Sequence, residues 1–334
     1  MKRERNKNIL KFCIFFGIGL FFIYWFLLKL EPDQKRSIWN SLQQARYGWL
    51  IGVMGSTLLS HWIRALRWNL LYRPLGYQPK VVNTYGSVIV AFMANLAFPR
   101  LGEVARCATM RSSEKIPIDH SLGTVVTERV VDVLFFLLIV AIGLMVTLGT
   151  ARTWLIERWQ EHAATGRSIW PFVLVLLASI AVVVLLYRMM RRKWSQWGLF
   201  QKVDHFITRC IDGIRSVMQM SRHDSILFVI YSLIIYALYI LGGLFILFTF
   251  KETSHLGIGA TFSIYLFGSL GMVLSQGGLG VYPVLIQSAL ALYGISESTG
   301  TAAGWLLWGA QNAIVILVGL AFLIYFAIVK KTNE

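Results

Sequence analysis

Apolar residues are gathered into long runs that short polar and basic segments separate. The runs cover residues 9–28, 49–72, 122–148, 172–187, 226–250 and 302–329. Each run reaches or approaches the roughly 20 residues with which a helix crosses the hydrocarbon core of a bilayer. The pattern predicts an all-α polytopic membrane protein with about six full spans, arranged as a single membrane domain over residues 1–334.

Two further apolar regions are interrupted by residues that disfavour a simple span. The first, residues 81–111, contains Asn95 and Arg100 on either side of a proline. The second, residues 259–293, contains Gln276, Gly277, Gly278, Gly280 and Tyr282. Glycine and proline disfavour a continuous helix. Both regions therefore predict broken or re-entrant helical hairpins, which membranes tolerate only where protein buries them or where they line a cavity.

Basic residues outnumber acidic residues 32 to 16, for a formal net charge of +16. A topology with both termini in the cytoplasm places 23 of these Lys and Arg residues inside and 8 outside, as the positive-inside rule favours. We therefore expect a multi-pass protein of the inner (cytoplasmic) membrane and no nucleic-acid partner. Residues 152–167 form an external loop in this topology. Residues 193–222 alternate apolar and basic positions at helical spacing, which predicts an amphipathic helix on the cytoplasmic leaflet.

The two interrupted regions occupy opposed positions in this topology. The hairpin of residues 81–111 enters from the cytoplasm, and that of residues 259–293 enters from the other side. Interrupted helices in two halves, residues 1–150 and 170–330, indicate an inverted repeat with a binding site between the halves. Unpaired backbone N–H groups at a helix break favour anions. The alternative is that the glycines only permit close helix packing.

Other residue types carry weaker signals. Cys13, Cys107 and Cys210 are scattered without metal-ligand spacing, so we expect no metal site, no disulfide framework and no cofactor. The four-residue spacing of Gly300 and Gly304 is a weak packing signal that 28 glycines produce by chance.

Charged residues within or beside the apolar regions form the strongest candidate site. The basic members are Arg64, Arg67, Arg100, Arg106 and Arg129, and the acidic members are Glu103, Glu128 and Asp132. Charges at membrane depth are costly and usually face a cavity or one another. If all of them gather, the basic excess suits a phosphate, which arginine binds in a bidentate manner. Two alternatives stay open: a structural salt-bridge network, and arginines on the second span that extend to the membrane surface.

Four segments, in this order, resemble the lysylphosphatidylglycerol synthase transmembrane-domain family, also described as flippase-like. They are RALRW at 64–68, NLAFPRLGEVAR at 95–106, ERVVD at 128–132 and GGLG at 277–280. The resemblance implies a polytopic bundle related to the flippase half of proteins that make and translocate aminoacylated phosphatidylglycerol, with relatives tied to lipid-linked sugars. Gln276 and Pro283 depart from the family pattern, which puts in doubt an acidic role at the second break. Synthases of the family carry a soluble catalytic domain after the membrane part, so we expect no synthase activity from these residues.

Three classes of function follow from these features. The leading interpretation is a lipid flippase whose arginines and broken helices receive a lipid with an anionic, phosphate-bearing or aminoacylated head group, or a lipid-linked sugar. Without a nucleotide-binding motif, transport would be downhill or coupled to an ion or proton through Glu103, Glu128 and Asp132. The alternatives are a membrane enzyme that transfers a group to a lipid phosphate, and a non-catalytic partner of an envelope biosynthetic enzyme. Homo-oligomerisation is left open.

Overall fold

The computed structural model describes residues 32–97, 101–163 and 220–332, and these residues form helices and no strand. We number the α-helices in chain order: α1 Pro32–Gln43, α2 Gly48–Tyr72, α3 Val81–Ala97, α4 Leu101–Glu114, α5 Ile118–Ala163, α6 Arg222–Thr249, α7 Ile258–Leu274, α8 Val281–Ala291 and α9 Glu297–Thr332. Short 3-10 turns at Arg73–Leu75 and Gln276–Gly278 complete the described elements. The expectation of an all-α chain is confirmed for this part of the sequence.

Several predicted spans coincide with single helices. The run at 49–72 is α2, the run at 226–250 lies within α6 except for its last residue, and the run at 302–329 lies within α9. In the described part of the chain, two helices are long and apolar enough to cross a membrane, Arg222–Thr249 and Glu297–Ile328. The total of six spans and the inverted repeat stay predictions. The first and fourth runs, at 9–28 and 172–187, and nearly all of the amphipathic segment at 193–222, lie outside the described residues.

The loop conformation predicted at 152–167 is wrong for its first twelve residues, and their external position stays a prediction. Helix α5 runs for 46 residues and ends only at Ala163. Seven of the residues at 152–163 are polar, which suggested a loop, but the segment contains neither proline nor glycine. Because Glu, Arg, Leu and Gln are good helix formers, polarity alone does not end the helix.

Both interruptions predicted from the sequence are present. Helices α3 and α4 form the first hairpin and pack on each other, and α7 packs on α8 in the second. In the second break Gly277, Gly278 and Gly280 have φ values of 62°, 77° and 75°, a backbone region that glycine adopts without strain. The breaks are confirmed; the membrane sides from which the hairpins enter stay a prediction.

Two apolar clusters hold the bundle together. One joins α6, α8 and α9 through buried residues that include Ile246, Ile286 and Leu307. The other joins α2 to α6 through Trp68 and Phe228. The second cluster borders the buried charges described below, so apolar packing fixes the helices on which those charges stand.

The spacing of Gly300 and Gly304, which the sequence analysis attributed to chance, is a packing contact. A Cβ at Gly304 would lie 2.6 Å from Cα of Pro283, and one at Gly300 would lie 3.0 Å from Cα of Gln287. Both neighbours are backbone atoms of α8, which cannot move aside as a side chain can. Glycine therefore sets the close approach of α8 and α9.

Candidate functional site: a buried arginine and carboxylate cluster

Five charged side chains from three helices meet inside the protein, and we call them the ionic cluster. Helix α2 supplies Arg64 and Arg67, α4 supplies Arg106, and α5 supplies Glu128 and Asp132. The arginines of α2 are three residues apart and the acids of α5 four apart, so each pair lies on one helix face. Apart from Asp132, whose side chain is 13% exposed, the members are at most 6% exposed at the side chain.

Glu128 is the centre of the ionic cluster. Its Oε1 accepts hydrogen bonds from Nη1 of Arg64 at 3.1 Å and from Nη2 of Arg67 at 2.9 Å. Its Oε2 lies 2.7 Å from Nη1 of Arg106. One fully buried carboxylate therefore joins α5 to both α2 and α4.

Asp132 accepts from the same two arginines of α2. Its Oδ2 lies 2.8 Å from Nη1 of Arg64, and its Oδ1 lies 2.6 Å from Nη2 of Arg67. The remaining terminal nitrogens bind α6: Arg64 Nη2 donates to the Tyr239 hydroxyl at 2.9 Å, and Arg67 Nη1 donates to Ser232 Oγ at 2.9 Å. Neither arginine extends to the surface, so the interpretation as ordinary interfacial residues is wrong.

Arg106 differs from the arginines of α2. Its guanidinium lies 3.4 Å from the ring centroid of Trp68, whose Nε1 donates to Thr124 Oγ1 at 2.9 Å. Stacking of this kind is favourable for arginine. Beyond its contact with Glu128, Nε and Nη2 of Arg106 have no hydrogen-bond partner in the described part of the chain.

A half-exposed ion pair borders the ionic cluster. Nε of Arg129 lies 3.5 Å from Oε1 of Glu103, with side chains 42% and 37% exposed. Nη1 of Arg129 is also 3.8 Å from Oδ2 of Asp132. Because this pair is neutral overall, the three arginines and two acids of the ionic cluster set the balance, one positive charge in excess.

Asn95, near the end of α3, contacts the start of α4 across the first break. Its Oδ1 accepts a hydrogen bond from the backbone N–H of Gly102 at 2.8 Å. A Cβ at Gly102 would lie 2.2 Å from the carbonyl oxygen of Ala91, so glycine is required for this approach. Asn95 therefore joins the two arms of the hairpin. Arg100 lies outside the described residues.

The second break lies beside the first. Cδ2 of Leu96, on α3, is 3.3 Å from the position of a Cβ at Gly277. The carbonyl oxygen of Gly277 accepts from Nε1 of Trp308 at 2.7 Å, and a Cβ at Gly278 would lie 3.3 Å from that same nitrogen. Tyr282 is buried against Gly268 of α7, and a Cβ at Gly280 would meet open space.

The side chain of Gln276 lies outside the described residues.

The structure adds four residues that the sequence analysis did not select. Trp68, Ser232, Tyr239 and Trp308 each contact a candidate residue. Trp68 lies inside the RALRW segment, so the motif itself could have indicated it. The other three come from α6 and α9, where no local pattern separates them from ordinary lipid-facing or packing aromatics and serines.

Comparisons with known proteins point to a family of membrane domains. A Haloferax volcanii protein named Glycosyltransferase AglD is 26% identical over 143 residues, which are 42% of this chain and 22% of that relative. The chain therefore spans less than a quarter of the relative's length. No solved structure gives a significant match. The family model described as "Lysylphosphatidylglycerol synthase TM region" matches residues 8–319. The chain belongs to this family of membrane domains.

Proposed function

We propose that the chain is a lipid flippase that receives a phosphate-bearing head group at the ionic cluster while the lipid chains stay in the bilayer. The observation that carries this proposal is the buried excess of positive charge in a membrane-domain family. An isolated buried charge is costly, whereas a phosphate oxygen would both neutralise it and satisfy its donors.

The contact of the ionic cluster with the first hairpin through Arg106, and of the second break with that hairpin through Leu96, supports transport. Helix breaks at opposed positions are the usual site of substrate binding in transporters. The hydrogen bond that the backbone N–H of Gly102 donates to Asn95 and the one that Trp308 donates to Gly277 hold both breaks in place. A head group bound between them would move when the two hairpins change their relative positions.

A second candidate is a membrane enzyme that transfers a sugar or another group to a lipid phosphate, which the name of the Haloferax volcanii relative favours. Such an enzyme needs a general base with a free oxygen near the reacting hydroxyl. Glu128 and Asp132 are each held by two or more arginines. This arrangement supports binding over proton transfer.

Reconstitution into liposomes tests the flippase proposal. Purified protein is incorporated with fluorescent phosphatidylglycerol, lysyl-phosphatidylglycerol or a polyprenyl-phosphate sugar, and dithionite bleaches the label in the outer leaflet. We expect the wild-type protein to raise the bleached fraction of at least one lipid above that of protein-free liposomes.

The matched variants are Arg64→Gln and Arg73→Gln. Arg64 is buried and pairs with Glu128, whereas Arg73 is half exposed and pairs with Asp224 just past the C-terminal end of α2. Loss of a charged hydrogen-bond donor should slow flipping about tenfold or more in the first variant and leave the second unchanged. Absence of flipping for all three lipids would refute the flippase. A new lipid product formed from a sugar donor would favour the membrane enzyme.

A further inference from the structure

Two nitrogens on one edge of Arg106 are buried without a hydrogen-bond partner in the described part of the chain. The residue is 2% exposed, and Nη1 is its only nitrogen with a described partner. Nε and Nη2 point from the same side of a guanidinium, and this edge is the one that binds two oxygens of a phosphate or carboxylate at once. Buried donors are normally paired, so this unpaired edge suggests a ligand.

The arginines of α2 lack such an edge. Arg64 and Arg67 each use both terminal nitrogens, for the carboxylates and for side chains of α6. Each leaves only Nε without a hydrogen bond in the described part of the chain. Within the ionic cluster, a bidentate contact is therefore available at Arg106.

The charge balance of the ionic cluster limits what can bind at this edge. Three arginines face two carboxylates, and the neighbouring pair of Glu103 and Arg129 is neutral. A ligand with one net negative charge brings the sum to zero. A zwitterionic ligand leaves the positive excess, and one with a net positive charge increases it, at a cost that rises with burial.

Exposed side chains of α4 and α5 border the ionic cluster, since Nη1 of Arg129 lies 3.8 Å from Oδ2 of Asp132. Glu103 and Arg129 are half exposed, one on each helix. Leu101, Val104 and Val133, on the same two helices, have exposed side chains. In a membrane domain exposed apolar side chains contact lipid tails, so a lipid can present its head group here while its tails stay outside.

We propose that the Nε and Nη2 edge of Arg106 binds the phosphate of a lipid phosphodiester that carries a single net negative charge. Phosphatidylglycerol and polyprenyl-phosphate sugars have this chemistry. An aminoacylated phosphatidylglycerol carries an added ammonium group and binds more weakly. The inference rests on the proposed function, because it names the lipid class that the same site receives.

Native mass spectrometry of the full chain in detergent tests the lipid class directly. The protein is titrated with phosphatidylglycerol, phosphatidylcholine and lysyl-phosphatidylglycerol of identical acyl chains. We expect wild-type protein to bind phosphatidylglycerol about tenfold more tightly than either other lipid. Equal binding of lysyl-phosphatidylglycerol and phosphatidylglycerol would overturn the proposal, whatever the variants do.

Substitution at Arg106 tests the edge. Arg106→Lys keeps the charge but lacks the two-nitrogen edge, and the matched control Arg111→Lys makes the same change on the exposed surface of α4. The first should reduce the preference for phosphatidylglycerol about tenfold and the second should not. An unchanged preference in a monodisperse Arg106→Lys protein would refute the assignment. Soluble glycerophosphoglycerol that binds as tightly as the lipid would refute a lipid source.

The liposome assay separates the two proposals. Flipping by wild-type protein with no lipid preference in mass spectrometry would overturn the assignment of Arg106 and leave the flippase intact. Preferential binding of phosphatidylglycerol without flipping would support the assignment and remove the flippase.

Discussion

Replacing Glu128 with glutamine keeps the size of the side chain and removes a charge that three buried arginines share. The substitution leaves Arg64, Arg67 and Arg106 facing Asp132 as the remaining acid of the ionic cluster. The positive excess of the cluster rises from one charge to two. Because the side chain of Glu128 is fully buried, water cannot compensate for this change.

The expected loss of stability follows from that burial. Removing one partner of a buried ion pair costs about 3–5 kcal/mol, since it leaves the other partner uncompensated. Glu114→Gln is the matched control, because Glu114 accepts hydrogen bonds from the backbone N–H of Lys80 and from Nδ2 of Asn83. Both donors are neutral, so this control should cost about 0.5–1.5 kcal/mol.

Unfolding in mixed detergent micelles, followed by tryptophan fluorescence, measures both variants. A double variant, Glu128→Gln with Arg106→Gln, restores the original excess of one charge and should be more stable than the sum of the single losses by about 0.5–3 kcal/mol. The reasoning is refuted if Glu128→Gln is no less stable than Glu114→Gln, or if the double variant shows no coupling.

Three further substitutions test contacts outside the ionic cluster. Gly304→Ala forces a Cβ against the α8 backbone at 2.6 Å and should cost about 1–3 kcal/mol, whereas Gly309→Ala meets open space and should be neutral in the same unfolding assay. Trp308→Phe removes the donor to the Gly277 carbonyl. We expect faster proteolysis at the second break with little change in global unfolding. Cleavage at the same rate as in the wild-type protein would contradict this expectation. Glu252→Gln removes a charged acceptor at the start of α9. Desolvation alone would raise the pKa of Glu252, but the hydrogen bonds outweigh it and lower the pKa. The loss of stability, about 0.5–1 kcal/mol, should be present at neutral pH and vanish as the pH falls below the lowered pKa, and a loss that persists in acid would count against this role.

Local pattern was sufficient for much of the helical arrangement. The apolar run at 49–72 gave the position of α2 because helix length and apolar content are properties of a contiguous segment. The glycines at 277–280 indicated the second break for the same reason, since positive φ values are a property of single residues. The polar stretch of α5 misled the prediction, because polarity marks a loop only when a helix breaker accompanies it.

The sequence by itself determined the family, the helical class and the set of charges that a membrane domain would have to bury. Only the tertiary structure decided how those charges pair. Arg64 and Arg67 meet acids more than 60 positions away, and Tyr239 of α6 completes the contacts. Differences of a few tenths of an ångström decide whether a hydrogen bond forms, and helix packing sets these distances. Spacing along the chain fixes which face a residue occupies, and only the packing of the described helices leaves Nε and Nη2 of Arg106 without a hydrogen-bond partner.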